Sequence, residues 1–398
     1  MLSKRILICA IVLLLAVVGT AAAVELTPKE MLGKNLFFDE NLSEPKGQDC
    51  AVCHGSEAGW TGTDSNINAH GSVYEGAVQG RFGNRKPPSS AYATSSPIFH
   101  FEKGKGGFFI GGNFWDGRAT GEKLGNPAAD QAQGPFLNPL EQNNPDASAV
   151  VQKVCSSNYV DLFKQVWGDN ACDNVSEAYD NIALSIAAYE ASSEVNQFSS
   201  KYDYFLTGRA ELTKQEKEGL LLFKGKAKCD KCHPSDGERS LFTDFTYDNL
   251  GTPRNPENPF YNMAEFNPLG AAFVDTGLGG FLSTQSDFLQ LQKENYGKFK
   301  VPTLRNVDKR PTPDFIKAYS HNGYFKSLKE IVHFYNTRDV LPVCGFEGSR
   351  EGVNCWPLPE LALNMNTKEL GNLGLTDEEE DDIVAFLKTL SDGFIPPE

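Results

Sequence analysis

Two short stretches of this 398-residue chain share one pattern, CAVCH at residues 50–54 and CDKCH at residues 229–233. In each stretch, two cysteines lie three positions apart and a histidine follows at once. Thiols at this spacing can add to the two vinyl groups of a haem, and the adjacent histidine can then bind the iron. A zinc site or a thioredoxin-like redox centre could also use cysteine pairs.

The positions of the two cysteine pairs in the chain favour haem attachment over a zinc site or a redox centre. Zinc sites usually bring a second cysteine pair close by, whereas these pairs lie in opposite halves of the chain. A redox pair does not need a histidine behind it in both copies. The sequence therefore predicts two covalently bound haem c groups, attached through Cys50 and Cys53 with His54 on the first iron, and through Cys229 and Cys232 with His233 on the second.

Similar helix starts precede the two stretches. Thr27 with Pro28, and Thr213 with Glu216 three residues later, are typical of helix N-termini. A third start at Thr376 and helical spacing of apolar residues over 175–191 predict further helices. Strand signals are sparse, and 37 glycines and 22 prolines indicate long loops.

The fold predicted from these elements is mostly α, with two cytochrome c-like haem domains and long ordered loops. We place the first domain at residues 24–208 and the second at 209–398, with the boundary near Gly208. A formal net charge of -15 makes nucleic acid an improbable partner, since phosphate backbones attract basic surfaces.

The first 23 residues have the form of an export signal. Lys4 and Arg5 precede an apolar run over 6–18, and small residues at 21–23 resemble a signal-peptidase site. A membrane anchor is the alternative, but the run is shorter than the ~20 residues of a spanning helix. We predict a periplasmic or otherwise exported protein with no membrane span after cleavage.

Four cysteines remain after the haem pairs and Cys9 of the signal are set aside. In an oxidising compartment, close pairs of this kind predict disulfides. The expected bridges join Cys155 to Cys172 and Cys344 to Cys355, and the alternative is four free buried thiols.

Five motifs give the chain a specific resemblance: LGKNLFFD at 32–39, FWDGRA at 114–119, QAQGP at 131–135, PTLRN at 302–306 and HNG at 321–323. In that order they resemble the bacterial di-haem cytochrome c peroxidase family, including its methylamine-utilisation (MauG) branch. The resemblance spans nearly the whole mature chain. It implies a first haem that reacts with peroxide and a second haem that transfers electrons.

The resemblance also implies roles for single residues. Trp115 would lie between the haems, Gln131 over the first haem, and Glu141 would be the acid/base carboxylate that peroxide cleavage requires. Arg305 would belong to the cofactor-binding set. Without the family context, Trp115 would be read as a core aromatic and Glu141 as a surface charge.

The sixth ligand of the second iron separates the branches of the family. Ordinary members carry a methionine there, whereas this sequence has Tyr335, as MauG-like members do. His333 is the rival, but on a helix the two residues face about 200° apart, so only one can reach the iron. His70 matches a removable ligand of the first haem in ordinary members, and the alternative is a solvated loop histidine.

The family resemblance further implies one calcium ion between the domains. Asn84 matches the asparagine that supplies a side-chain oxygen to that ion. The Thr-x-Pro segment that normally donates carbonyl oxygens is replaced by residues 316–318, so the carbonyl donors differ.

Taken together, the sequence predicts an exported di-haem oxidase. It would react with hydrogen peroxide and, through a high-valent di-haem state, oxidise a tryptophan of an exported protein partner. The alternatives are an ordinary cytochrome c peroxidase, which takes electrons from a small cytochrome, and a non-catalytic di-haem electron carrier. The scarcity of methionine, four residues in all, favours an oxidant over a carrier.

Overall fold

In a computed structural model, residues 25–397 form eleven α-helices and four short strands. The predicted signal peptide, including Cys9, lies outside the described residues. The helices are α1 Pro28–Phe37, α2 Ser65–Ala69, α3 Pro127–Leu137, α4 Ala147–Cys155, α5 Val160–Trp167, α6 Val175–Ala191, α7 Lys201–Leu206, α8 Lys214–Lys224, α9 Gly277–Leu282, α10 Leu328–Thr337 and α11 Asp377–Lys388. The mostly α fold class is confirmed. None of the helices in this range is long and apolar enough to cross a membrane.

The predicted helix starts are confirmed by their caps. Thr27, Thr213 and Thr376 each accept a hydrogen bond from the backbone N–H three residues on, and a glutamate there bonds back to the threonine N–H. Two otherwise free N–H groups are satisfied at each start. The helix predicted over 175–191 is α6.

Helices α1 and α6 cross at the centre of the first half. A side chain at Gly33 would place its Cβ 1.9 Å from the carbonyl oxygen of Ser185, so only glycine permits this approach. Apolar residues of both helices, including Leu36 and Ile182, form the largest cluster of this half. The crossing fixes the segment that leads into residues 50–54.

Helices α8 and α11 repeat this arrangement in the second half. A Cβ at Gly219 would lie 1.9 Å from the carbonyl oxygen of Asp382. Phe223 and Phe386 pack at the crossing, with ring centroids 5.1 Å apart. Helix α7 also packs on this cluster through Tyr202, although it precedes Gly208. The domain boundary itself stays a prediction.

The four strands form two antiparallel pairs. Strand β1 (His100–Glu102) pairs with β2 (Phe108–Ile110), and β3 (Tyr247–Asp248) pairs with β4 (Phe299–Lys300). The backbone N–H of Lys300 also donates to the carbonyl oxygen of Trp115 at 2.8 Å. Strand β4 therefore brings a segment of the second half against the first.

Long-range polar contacts join the two halves. The hydroxyl of Tyr92 donates to Asp392 at 2.6 Å, and Asn306 Nδ2 donates to the same carboxylate at 2.9 Å. The buried ammonium of Lys317 donates to the carbonyl oxygens of Ala58 and Asn306, both at 2.7 Å. The seam between the halves is thus held by hydrogen bonds as well as by packing.

Both predicted disulfides are present, Cys155 to Cys172 and Cys344 to Cys355. One bridge belongs to each half. The four cysteines of the C-x-x-C-H stretches remain as free thiols.

Candidate functional site

Two cavities of similar volume, about 210 and 190 Å³, lie in the two halves. The smaller, which we call the first cavity, is lined by Cys50, Cys53 and His54. The second cavity is lined by Cys229, Cys232 and His233. Each C-x-x-C-H stretch therefore faces a space of its own.

The two stretches fold into the same turn. The backbone N–H of His54 donates to the carbonyl oxygen of Cys50 at 3.0 Å, and that of His233 to Cys229 at 2.9 Å. Each ring lies with Nδ1 close to a backbone carbonyl, that of Trp60 at 3.3 Å and that of Phe242 at 2.7 Å. A bond of this kind fixes the tautomer and leaves Nε2 for a metal. Burial lowers the pKa of His54 to about 4 and also lowers the pKa of His233.

Most of the unsatisfied polar atoms within residues 25–397 lie at the cavities. Among the described residues, five buried side-chain polar atoms lack a hydrogen-bond partner. Gln48, Ser90 and Gln142 carry three of them and line the first cavity, and His321 carries a fourth, Nε2, in the second. Because buried polar atoms normally find partners, these residues fit a bound group with polar edges. Free thiols, a histidine and an apolar space beside them fit a haem.

The first cavity brings together the predicted peroxide-handling residues. Gln131 and Glu141 both line it. Asn138 Nδ2 donates to Glu141 Oε1 at 2.9 Å, which orients the carboxyl group, and burial raises the pKa of Glu141. The nearby guanidinium of Arg118, which lies 3.7 Å above the Phe114 ring, acts in the opposite direction. A carboxyl group that is oriented and has a raised pKa holds a proton more readily than an exposed one, as acid/base transfer requires.

Trp115 lies in the wall that the two cavities share. It lines both of them, and it is buried. Its indole Nε1 donates to the carbonyl oxygen of Lys86 at 2.8 Å, which fixes the ring orientation. Its predicted place between two haems stays a prediction, and the shared wall is the geometry that such a role requires.

Tyr335 and His333 point in different directions from α10. Tyr335 lines the second cavity together with Cys232 and His233. The ring of His333 is held elsewhere, with Nδ1 2.9 Å from Glu380 Oε1. Among described methionines, Met263 accepts a hydrogen bond from Phe82 N–H, Met365 lies beside Gly251 and Met31 lines a surface groove. None of the three is among the residues that line either cavity.

His70 and Asn84 have separate placements. His70 is exposed at the end of α2, its Nδ1 lies 2.8 Å from the carbonyl oxygen of Asn66, and it does not line the first cavity. Asn84 does line the first cavity. The carbonyl oxygen of Ile316, in the segment that replaces the family's Thr-x-Pro, accepts a hydrogen bond from Asn68 Nδ2 at 3.1 Å.

Arg305 lines the second cavity, and protein groups accept hydrogen bonds from three of its five N–H donors. It donates to both carboxylate oxygens of Asp203, at 2.9 and 2.8 Å, and to the carbonyl oxygen of Ser240 at 2.6 Å. A bidentate ion pair of this kind neutralises the charge. Two N–H donors remain, and the cofactor-binding role of Arg305 stays a prediction.

Sequence reasoning missed two ionisable residues at the cavities. Glu190 on α6 lines the first cavity, and burial raises its pKa to about 8. Lys300 lines both cavities. Glu190 could have been found, because it follows Ile186 at helical spacing on the buried face of α6. The only feature of the sequence that could have indicated Lys300 is its position two residues before the PTLRN motif.

Comparisons with known proteins point to one family. The family model described as di-haem cytochrome c peroxidase matches residues 27–211. The chain is 34% identical to the methylamine utilization protein MauG of Paracoccus denitrificans over 368 residues, which cover 91% of this chain and 88% of that protein. It is 27% identical to a cytochrome-c peroxidase of Denitromonas iodatirespirans, over 91% of this chain and 81% of that one.

A solved structure is also similar over most of the chain. The diheme peroxidase BthA from Burkholderia thailandensis superposes with a TM-score of 0.75 at 32% identity, and the match covers 94% of this chain and 88% of BthA. Both C-x-x-C-H stretches, the cavities beside them and these similarities lead to one conclusion. The chain belongs to the di-haem cytochrome c peroxidase family, whose members bind two c-type haems, and it is an oxidoreductase of that family's peroxidase and MauG-like class.

Proposed function

We propose that this protein reacts with hydrogen peroxide at the first cavity and draws the electrons for that reaction from a protein partner through the second. Each predicted domain would hold one haem c, through Cys50 and Cys53 in the first and Cys229 and Cys232 in the second. Bound haem iron supplies the centre that reacts with peroxide and holds the oxidising equivalents. The chain supplies proton transfer, orientation and the path between the sites.

In the first cavity, Glu141 is proposed to move the proton that cleavage of the peroxide bond requires. The group must take a proton from one oxygen and deliver it to the other. Burial keeps the Glu141 pKa raised, and Asn138 holds one carboxyl oxygen, so the free edge of the group is oriented. Gln131, on α3 in the same cavity, offers an amide that can both donate and accept.

Trp115 is proposed to carry electrons between the two sites. It contributes to the walls of both cavities, and its hydrogen bond to Lys86 holds the ring in one orientation. A fixed aromatic ring needs no rearrangement when charge passes.

The observation that carries the proposal is the presence of Tyr335 at the second cavity with no described methionine there. A phenolate ligand stabilises oxidised iron, whereas methionine raises the reduction potential and favours simple electron transfer. The 34% identity to MauG gives independent support. The substrate would be a tryptophan of an exported protein, and the net charge of -15 would speed encounter with a basic surface.

A second candidate is a peroxidase that takes electrons from a small cytochrome. The similarity to a cytochrome-c peroxidase over 91% of the chain favours it. The two candidates differ in whether the second iron must be reduced before peroxide reacts.

Addition of hydrogen peroxide to the fully oxidised protein tests the proposal. We expect a long-lived change in the haem absorption spectrum without prior reduction. A reaction that begins only after one haem has been reduced would support the second candidate. The exposed position of His70 supports a first iron that is open in the resting protein.

Tyr335→Met tests the ligand assignment. We expect a changed spectrum and a raised potential of the second haem, with the first haem unaffected. Tyr319→Phe is the matched control, because Tyr319 also lines the second cavity but its hydroxyl donates to the carbonyl oxygen of Val307. An unchanged second haem in Tyr335→Met would contradict the assignment.

Export and calcium complete the proposal. Two disulfides support folding in an oxidising compartment. A calcium ion at Asn84 remains proposed, with carbonyl donors other than those of the family's Thr-x-Pro segment. Loss of thermal stability on chelation, restored by calcium, is the expected result.

A further inference from the structure

Lys300 differs from the other deeply placed lysines of the described chain. Lys86 Nζ donates to Thr61 Oγ1 at 2.8 Å and to the carbonyl oxygen of Pro87 at 2.9 Å. Lys317 Nζ donates to three backbone carbonyl oxygens. The ammonium of Lys300 has no hydrogen-bond partner and no carboxylate within ion-pair distance among residues 25–397. Its nearest described interaction is with the face of Phe245, 5.5 Å from the ring centroid.

The side chain of Lys300 also lies at an unusual position, in the wall shared by the two cavities. Lys300 lies at the end of β4, where its backbone N–H donates to the carbonyl oxygen of Trp115. Its side chain lines both cavities, as Trp115 does. Burial lowers the pKa of Lys300 to about 8, and no neighbouring carboxylate acts against this effect.

Two carboxylates of the second cavity, Asp275 and Glu360, already contact protein groups. Asp275 accepts two hydrogen bonds from Arg85, at 2.6 and 2.7 Å. Glu360 Oε1 accepts from the backbone N–H of Asp275, and Oε2 lies 3.8 Å from His321 Nε2. An enclosed ammonium without an anion is costly. A negatively charged group bound in one of the cavities would supply the partner that the Lys300 ammonium lacks.

We propose that Lys300 Nζ binds a carboxylate side chain of a haem at the wall shared by the two cavities, and that this ion pair holds the haem edge against Trp115. Haem carries two propionate groups, so a cation that faces both cavities can meet one from either side. Lys300 would act in addition to Arg305, whose charge is neutralised by Asp203. Lys300 is a positioning residue. The inference rests on the proposed function, since it requires two bound haems.

Loss of this charge should change reduction potentials more than it changes haem content. A positive charge beside a haem stabilises the reduced, more negative state, and the effect is strong where water is excluded. In Lys300→Met we expect the ferric-to-ferrous ratio of the affected haem, at fixed potential, to rise about tenfold. That ratio corresponds to about 59 mV for a one-electron couple. Lys300→Arg should restore most of the shift.

Lys298→Met is the matched control. Lys298 lies two positions earlier, its Nζ donates to Asn295 Oδ1 at 3.2 Å, and it lines neither cavity. We expect its potentials to equal those of the wild type. Redox titration is read together with the number of covalent haems per chain. A Lys300→Met protein with two haems and unchanged potentials would overturn the inference, and so would an equal shift in Lys298→Met.

A measurement on the wild type avoids dependence on a folded variant. Resonance Raman spectra in H2O and D2O report hydrogen bonds to haem propionates through the carboxylate bending band. We expect this band to shift in D2O, and Lys300→Arg to change the size of the shift. A band insensitive to both would overturn the inference. Fewer than two haems in the wild type would instead overturn the proposed function.

Discussion

The two halves of the molecule share one frame but present different chemistry to their cavities. Each has a helix crossing that requires glycine, at Gly33 or Gly219, and each has one disulfide. Both C-x-x-C-H turns make the same backbone hydrogen bonds. Gln131 and Glu141 line only the first cavity, whereas Tyr335 lines only the second. The helix crossing and the C-x-x-C-H turn position the proposed haem of each half. The side chains that line the cavity would then determine whether proton transfer or electron transfer takes place there.

The largest effect is expected from a substitution that removes proton transfer in the first half and leaves the second half unchanged. In Glu141→Gln we expect the reaction with peroxide to slow by about 10²–10⁴-fold, because the amide cannot exchange a proton. Stopped-flow absorption after peroxide addition measures the rate. Glu122→Gln, an exposed glutamate of the same half, serves as the control. A change in the spectrum of the second haem would show that the two halves are not chemically separate.

The disulfides test whether the halves are also separate in stability. Serine pairs at Cys155 and Cys172, or at Cys344 and Cys355, should each lower the free energy of unfolding by about 3 kcal/mol, because similar loops are released. Urea unfolding followed at each haem measures the loss. Each pair should affect the haem of its own half first. Equal loss at both haems in either variant would contradict the comparison.

The glycine crossings should give a smaller effect. Gly33→Ala and Gly219→Ala each place a methyl group against a backbone carbonyl, so the helices must move apart at a cost of about 1–3 kcal/mol. Gly104→Ala is the control, since its nearest contact would be a flexible side-chain atom at 3.6 Å. The midpoint of thermal unfolding, measured for the three alanine variants, tests this expectation. Unchanged stability in Gly33→Ala would mean that the α1–α6 approach is not tight.

The last expected effect is a dependence of stability on pH, small within any one pH unit. The pKa of Glu190 is raised to about 8 by burial, so its contribution to stability is complete below the ordinary range near 4.5 and is lost as pH rises through 8. In that window the wild type should lose up to about 1.4 kcal/mol per pH unit, a loss that Glu190→Gln should avoid. Exposed Glu177→Gln on the same helix is the control. Parallel pH profiles for wild type and Glu190→Gln would contradict this.

Much of the frame could be predicted from sequence, because it depends on local chemistry. Capping at Thr27, Thr213 and Thr376 and the C-x-x-C-H spacing are properties of neighbouring residues. The pairing of Arg305 with Asp203 and the isolation of Lys300 depend on residues far apart in sequence, so no spacing could reveal them. His333 and Tyr335 could be separated only in part, since helical geometry says that they diverge but not which one faces the cavity.

The contacts that join the halves also imply an order of assembly. Tyr92 and Asp392 are 300 positions apart, and the entropy cost of closing a loop grows with its length. Domains generally fold as units, so the two helix crossings form before this contact does. We therefore expect the wall that contains Trp115 and Lys300 to close last, and each C-x-x-C-H turn to stay accessible for haem attachment until then. Hydrogen exchange during refolding should show amide protection at this wall after protection of α1, α6, α8 and α11.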